Sequence, residues 1–302
     1  MKPRLTTPAP HRRGFLAAAA GLLGAATLGG CDRLATTPWG RRALRAGEDA
    51  NLFVQRLLLT PAALAQEFPD SAISPWFKPN GTIDPQDRDY RALAARRFEG
   101  WSLRVDGLVE RPQGFSLADL RALPARTQTT RHDCVEGWSA IGRWTGVPLA
   151  ELLTRAGLKP EARFIVFHCA DTMEFAESDA PDSANPDMTV RPEGAENQAS
   201  DSKAAGAEAP DADAPKGRPI RYYESIDLTD AYHPQTILAY DLNGQALPVS
   251  NGAPLRLRVE RQLGYKQAKY VMRIEVRDTL AGIGDGGGGY WEDRGYEWYA
   301  GI

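Results

Sequence analysis

From position 176 to 219 the chain contains no aromatic residue and is dominated by Ala, Pro, Asp, Glu and Ser. Its ten acids against four bases give it a charge of −6. A segment of this composition cannot bury enough apolar surface to offset the entropy lost on ordering. It is expected to be a disordered insertion, so any core must be assembled from the residues on either side. A dedicated acidic docking tail is the other reading of the same stretch.

The flanks are sufficient for that. At 302 residues the chain is long enough for one large domain or two, with a substantial core. Its 42% apolar and 25% charged residues are ordinary for a soluble globular protein. The formal charge of −3 is unevenly spread. Residues 1–31 carry Lys2, Arg4, Arg12 and Arg13 and no acid, which is +4 and leaves −7 for the remainder. Setting the insertion aside, the folded part is −1, which offers no nucleic-acid surface. Three cysteines, Cys31, Cys134 and Cys169, are too few for a disulfide framework, and a single Cys134–Cys169 bridge stays open.

Residues 1–31 read as targeting rather than fold. His11-Arg12-Arg13-Gly14-Phe15-Leu16 matches the twin-arginine pattern, and the apolar run from Phe15 to Leu28 is too short to span a membrane. Export by the twin-arginine machinery places the mature protein in the periplasm. That route carries folded proteins, usually after cofactor loading, so it argues for a cofactor on its own. Leu28-Gly29-Gly30-Cys31 resembles a lipobox. Lipidation of Cys31 would anchor the chain, because two acyl groups hold where one does not.

Residues 32–49 read as a short polar tether, within an N-terminal extension over 32–97. Thr60 and Pro61 form a helix-start pair, and 69–90, rich in Pro, Asp and Gly, reads as irregular. Trp101 to Val105 alternates as a half-buried strand, turned at Asp106-Gly107. Ser116 to Asp119 is a capping box with Leu117, Leu120 and Leu123 facing inward. A helix is expected from Thr145 to Ala156, closed by Gly157. Phe164 to Phe167 is a buried strand. Beyond the insertion, Asn243-Gly244 between Ile237–Leu242 and Ala246–Val249 signals a hairpin. Leu255–Val259 and Tyr270–Val276 read as strands, and Gly286–Gly289 as a flexible loop. Strands do not alternate regularly with helices, so the fold class is α+β.

Arg131-His132-Asp133-Cys134-Val135-Glu136-Gly137-Trp138-Ser139 carries the chemistry. A thiolate is a soft metal ligand, although a lone cysteine is more often a small buried hydrophobe. With Trp144-Thr145-Gly146-Val147-Pro148-Leu149 and Leu152-Leu153, the run resembles the metal-ligand segment of the sulfite oxidase superfamily. The closer likeness is to the catalytic subunits of periplasmic protein-methionine-sulfoxide reductases. The resemblance implies that Cys134 binds molybdenum held by molybdopterin. A second segment, Asn251-Gly252-Ala253-Pro254-Leu255-Arg256 followed by Gly264-Tyr265-Lys266-Gln267-Ala268-Lys269, matches the same family. Arg256 offers the planar fork suited to a phosphate and Lys269 a point charge. A basic run on a strand is otherwise usually a solvated face.

By the same resemblance Asn251, Arg256, Gln267, Ala268 and Lys269 would contact the cofactor. Cys169 stands where the reductases have a contacting threonine. Asn51, Val54 and Gln55 stand where they have an asparagine and a Tyr-Glu pair. His132 would donate to the cofactor or stay a core histidine. The implied fold is a molybdopterin-binding domain over 98–302, with mixed β-sheets, short helices and no C-terminal immunoglobulin-like domain. The implied function is an exported, monomeric oxidoreductase. It would move an oxygen atom and two electrons to or from a small sulfoxide-, N-oxide- or sulfur-containing substrate, or a protein sulfoxide. No haem or iron–sulfur motif is present in the sequence, so electrons are expected from a haem-bearing membrane partner. Two alternatives stay open. A sulfite dehydrogenase-like enzyme is disfavoured by Glu136, whose charge repels an anion. The other is a non-catalytic lipoprotein that binds a partner.

Overall fold

The computed structural model describes residues 37–176 and 217–302. The export signal, Cys31 and the body of the acidic insertion lie outside the described residues. The described residues fall into two compact units, with the boundary between Leu58 and Leu59.

The described part of the first unit is helix α1, Pro38–Leu58. A polar tether was expected over part of this range. Instead Thr37 and Pro38 supply the start signal, with Thr37 Oγ1 accepting from Gly40 N at 3.0 Å and proline at the first helical position. The Thr60-Pro61 pair has the same letters but makes only a turn, Ala63 N to Thr60 O at 2.9 Å. Good helix formers follow it, but distant partners take their backbone: Ala65 N donates to Gln235 Oε1 at 2.7 Å, and Glu67 bridges to Thr130. α1 is not apolar enough to cross a membrane.

The second unit begins at Leu59. The stretch 59–97 brings Phe77 and Tyr90 into the interior and holds helix α2, Arg88–Ala95, capped by Asp87, whose Oδ1 accepts from Tyr90 N at 2.9 Å. One sheet runs in the order β2-β1-β10-β5-β6: β1 Ser102–Gly107, β2 Gln113–Ser116, β5 Phe164–Ala176, β6 Arg218–Asp227, β10 Val271–Arg277. Only the β1–β10 pair is parallel. Gly107, expected to turn the chain, is still paired with Val276 at φ +84. The other sheet runs β3-β4-β7-β8 with β9 also on β7: β3 Arg126–Cys134, β4 Trp138–Pro148, β7 Ile237–Leu242, β8 Gln245–Ala246, β9 Arg256–Arg258. Asn243 and Gly244 both have positive φ, as a two-residue hairpin turn demands.

Between the sheets lies the main core. It joins Leu103, Val105, Phe167 and Ile274 to Val147, Leu238 and Leu257. Helix α3, Leu117–Ala122, carries the expected capping box and buries Leu120. Helix α4 is Leu149–Ala156, shorter than expected, because Thr145–Pro148 belong to β4. Gly146 explains this, since a Cβ there would overlap the backbone of Leu238 and Ala239 on β7. β-branched Thr145 and Val147 also favour the strand. α4 contributes Leu149, Leu152 and Leu153, each fully buried. Truncating any one to alanine would cost about 2–5 kcal/mol. Strands β5 and β6 stay paired out to Ala176↔Arg218, through register shifts between His168 and Glu174, so the expected insertion enters and leaves from the end of a paired ribbon.

Candidate cofactor and active site

Cys134 is the last residue of β3. A tight hairpin follows it: Gly137 N donates to Cys134 O at 3.0 Å, and Gly137 has φ +84. β3 and β4 pair from Arg126↔Gly146 to Cys134↔Trp138, so the thiol sits at the tip of a long ribbon. Both Cys134 and Cys169 are free thiols, and no bridge joins them. Burial pushes the Cys134 thiol above its ordinary pKa; the Glu136 backbone and the Arg256 charge pull against that. A metal would have to displace that proton.

A cleft of about 240 Å³ opens at this tip. Cys134, Val135 and Glu136 form one part of its wall, and Gln267, Ala268 and Lys269 another. Asn80, Gly81 and Thr82 close a third side. They come from a segment that the sequence marks only as irregular. Lys269 holds that loop by donating to Asn80 O at 2.8 Å, to Thr82 O, and to Ser250 O at 2.7 Å. Tyr270 Oη donates to Thr82 O at 2.7 Å. Asp171, Met173, Tyr222, Tyr265, Trp291 and Tyr296 complete the wall.

Behind the wall stands a buried cationic centre, not the solvated face that a basic strand usually forms. Arg256 and Arg258 are 0% exposed. Arg258 is matched: it pairs with buried Glu260 at 2.6 Å, lies over the Trp144 ring at 4.4 Å, and donates to His132 Nδ1 at 3.1 Å. Arg256 is not. Its donors reach only Asn251 O at 3.2 Å and Asn80 Oδ1 at 2.9 Å. Among the described residues neither Arg256 nor Lys269 has a carboxylate within 4.0 Å. Burial, with Arg258 nearby, draws Arg256 down to about 9. Burial and Arg256 draw Lys269 down to about 7. Uncompensated buried cations are costly, and a polyanion is what would relieve them.

Other buried groups are left unpaired at the same place. His132 Nε2, Asn251 Nδ2, Arg256 Nε and Asp171 Oδ1 have no hydrogen-bond partner. His132 Nδ1 faces both a donor, Arg258 Nη1 at 3.1 Å, and an acceptor, Gln267 Oε1 at 3.2 Å, while Nε2 points at no partner among the described residues. Burial, then the Arg256 and Arg258 charges, keep this imidazole neutral. Gly264 packs on the ring, and a Cβ there would come within 2.5 Å of Nε2. Orphaned buried donors and acceptors cost about 1–3 kcal/mol each. They fit a polar, phosphate-bearing ligand. No cluster of three or more His, Cys, Asp or Glu among the described residues could ligate a metal unaided. A single thiolate at Cys134 suits a metal that arrives on its own organic ligand.

The expected site residues divide accordingly. Cys134, Gln267, Ala268 and Lys269 line the cleft. Asn251 and Arg256 are packed together with Lys269 behind Gly252. Cys169 is fully buried in the main core, two positions from Asp171, which does line the cleft. Asn51, Val54 and Gln55 lie on α1 in the first unit, where Gln55 Nε2 donates to Asn51 Oδ1 at 3.4 Å. Sequence reasoning missed Asn80, Thr82 and Asp171. For Asn80 the available signal is an Asn-Gly turn in a stretch with Phe77 nearby; Asp171 has only its place shortly after the Phe164–Phe167 strand.

The family described as "Oxidoreductase molybdopterin binding domain" matches residues 91–190 and 188–281. A protein of Azospira oryzae named "Putative protein-methionine-sulfoxide reductase subunit YedZ1" is 34% identical over 97% of this chain and 88% of its own length. The protein-methionine-sulfoxide reductase catalytic subunit MsrP of Ralstonia nicotianae is 31% identical over 85% of this chain and 68% of its own. Among solved structures, the sulfane dehydrogenase SoxCD from Paracoccus pantotrophus aligns with a TM-score of 0.42 at 22% identity, over 59% of this chain and 38% of that one. With a thiol at the cleft and a buried cationic cradle behind it, this chain belongs to the molybdopterin-binding oxidoreductases and is an enzyme.

Proposed function

We propose that the chain is the catalytic subunit of an exported sulfoxide reductase. In the reaction a sulfoxide takes two electrons and two protons and leaves as a thioether and water. Bound molybdopterin with its molybdenum supplies the two-electron oxygen-atom chemistry. The chain's own residues do the rest. Cys134 would tie the metal to the fold, and Arg256 with Lys269 would balance the phosphate. Asn80, Asp171 and Asn251, with Gln267 and Ala268 in the wall beside them, would meet the polar edges of the pterin.

One observation carries the choice of substrate. Among the described residues that line the cleft the cation is Lys269, and in this reading its charge is committed to the phosphate, which leaves none for a second anion such as sulfite. Lys269 gives its three protons to three carbonyls. Lys78 is 3.6 Å from Glu136, whose carboxylate lies two residues from Cys134. The rest of the wall is largely aromatic and apolar, which suits an uncharged organic sulfoxide. The names of both relatives point the same way.

Metal and pterin analysis of the exported protein, followed by a turnover screen of sulfoxides against sulfite, tests the reading. One molybdenum per chain and sulfoxide turnover are expected; efficient sulfite oxidation without sulfoxide turnover would overturn it. Export through the twin-arginine machinery, a monomeric state and electron supply from a haem-bearing membrane partner belong to the same proposal. Replacing Arg12 and Arg13 together by lysine should hold the precursor in the cytoplasm; normal periplasmic delivery would refute the export part.

A further inference from the structure

The outer wall of the cleft is a constructed aromatic surface. Trp291 and Tyr296 both line the cleft and stack with ring centroids 5.3 Å apart and 26° between planes. A 3-10 turn over Glu292–Arg294 brings them together. Gly295, at φ +95, closes it by donating to Glu292 O at 3.0 Å, and Tyr296 N donates to Trp291 O at 3.0 Å. The turn is fixed from beneath. Lys266 Nζ donates to Glu292 Oε1 and to Glu224 Oε1, each at 2.6 Å, and all three side chains are buried. Tyr265, beside Lys266 in the chain, meets Tyr296 edge-on at 5.2 Å and 84°. One buried carboxylate–lysine–carboxylate group therefore holds both the turn and its aromatic neighbour. Such a group is expensive to desolvate, and what it secures is the placement of this wall.

We propose that Trp291 and Tyr296 are specificity-determining residues that bind the apolar arm of an uncharged organic S-oxide. The inference rests on the reductase reading above. Sulfur and the carbons next to it interact favourably with aromatic rings, and a rigid stacked pair presents such a surface with little rotamer entropy to lose. A bulky aryl or alkyl arm would contact the pair fully. Dimethyl sulfoxide, with only methyl groups, would contact it little.

The test compares the holoenzyme with Trp291→Ala, Trp291→Phe and Tyr296→Ala. Turnover is driven by a reduced viologen dye on methyl phenyl sulfoxide and on dimethyl sulfoxide. Binding of the product, methyl phenyl sulfide, to the oxidised protein is followed by saturation-transfer NMR. Trp291→Ala should raise KM for methyl phenyl sulfoxide about tenfold, equivalent to about 1.4 kcal/mol, with kcat unchanged and little effect on dimethyl sulfoxide. Tyr296→Ala should act in the same direction, Trp291→Phe should recover most of the loss, and the sulfide signal should weaken in step. An equal KM rise for both substrates, a fall in kcat alone, or an unmoved KM overturns the inference. If the unsubstituted enzyme, fully loaded with pterin, neither turns over a sulfoxide nor binds the sulfide, the reductase reading falls as well. If it turns over sulfoxides but Trp291→Ala does not discriminate between them, only the inference falls.

Discussion

Arg256 Nη2 donates to Asn80 Oδ1 at 2.9 Å, across 176 positions of sequence. This bond joins the cationic centre on β9 to a loop that precedes every strand of the fold. Arg256 is buried without a carboxylate, so in the cofactor-free protein its desolvation is offset only in part, by its bonds to Asn251 O and Asn80 Oδ1 and by the Trp144 ring 5.3 Å away. Arg256→Met should leave the cofactor-free protein as stable or more stable. It should also remove a charge-assisted contact to the phosphate worth about 1.5–3 kcal/mol. Pterin content after purification and thermal melting of both forms check this. Full pterin retention in Arg256→Met would show that the arginine serves the fold alone. The same pterin assay on Asn80→Ala and Asn51→Ala tests the two candidate asparagines, with loss expected for Asn80→Ala.

Lys269 gives the site a pH signature. Folding draws its pKa from the ordinary 10.5 to about 7, mainly through burial and then through the Arg256 charge. Between those values the unfolded chain binds a proton that the folded chain does not. Stability of the cofactor-free protein should therefore rise with pH across that window. Asp171 acts at lower pH: burial lifts it from 3.8 to about 6, so its contribution falls as pH rises across that interval. Chemical denaturation from pH 6.5 to 9.5 should show the rise in the cofactor-free protein and a flatter profile in Lys269→Met. Bound phosphate should flatten it too, by restoring the charged lysine. A flat profile for the unsubstituted cofactor-free protein would mean that Lys269 stays protonated through hydration.

Much of this was legible in the sequence because it depends on local chemistry. The capping box at Ser116, the Asn243-Gly244 turn and the strands at Trp101 and Phe164 are written in neighbouring residues. Cys134 and Arg256 were recognisable because their segments resemble a family. What could not be read depends on distant contacts. Thr145–Pro148 become strand because β7 approaches Gly146. Arg256 and Arg258 alternate with leucine as an exposed strand would, yet both are buried, since Glu260 and Trp144 receive Arg258. Asn80 looks like an ordinary turn residue until Lys269 and Arg256 close on its loop.

The acidic insertion is the next case. It interrupts β5 and β6, which remain paired as far as Ala176↔Arg218. Its composition gives it little apolar surface to add to a core. Joining Ala176 to Gly217 through a short Gly/Ser turn should preserve the ribbon and leave the thermal midpoint nearly unchanged. A loss of several kcal/mol would show that the insertion packs against the domain. Normal stability with slower reduction by the proposed membrane partner would instead assign it to docking.

Cys134 and Cys169 are the sharpest comparison. Both are free and buried, but Cys134 stands at the hairpin tip in the cleft wall, whereas Cys169 is inside the core on β5. Cys134→Ser replaces a soft thiolate with a hydroxyl that stays protonated and ligates a soft centre poorly. Contacts from Arg256, Asn251 and the 80–82 loop do not depend on that sulfur, so the pterin should remain. The expected protein is folded, pterin-bound, altered in its molybdenum spectrum and nearly inactive. Cys169→Ser places a hydroxyl in an apolar interior, at a cost of about 1–3 kcal/mol if it finds no partner. It should melt earlier yet keep its molybdenum spectrum and most of its turnover. Pterin content, molybdenum spectroscopy and melting on the two variants side by side decide the matter. A spectrum lost in Cys169→Ser and kept in Cys134→Ser would reverse the ligand assignment.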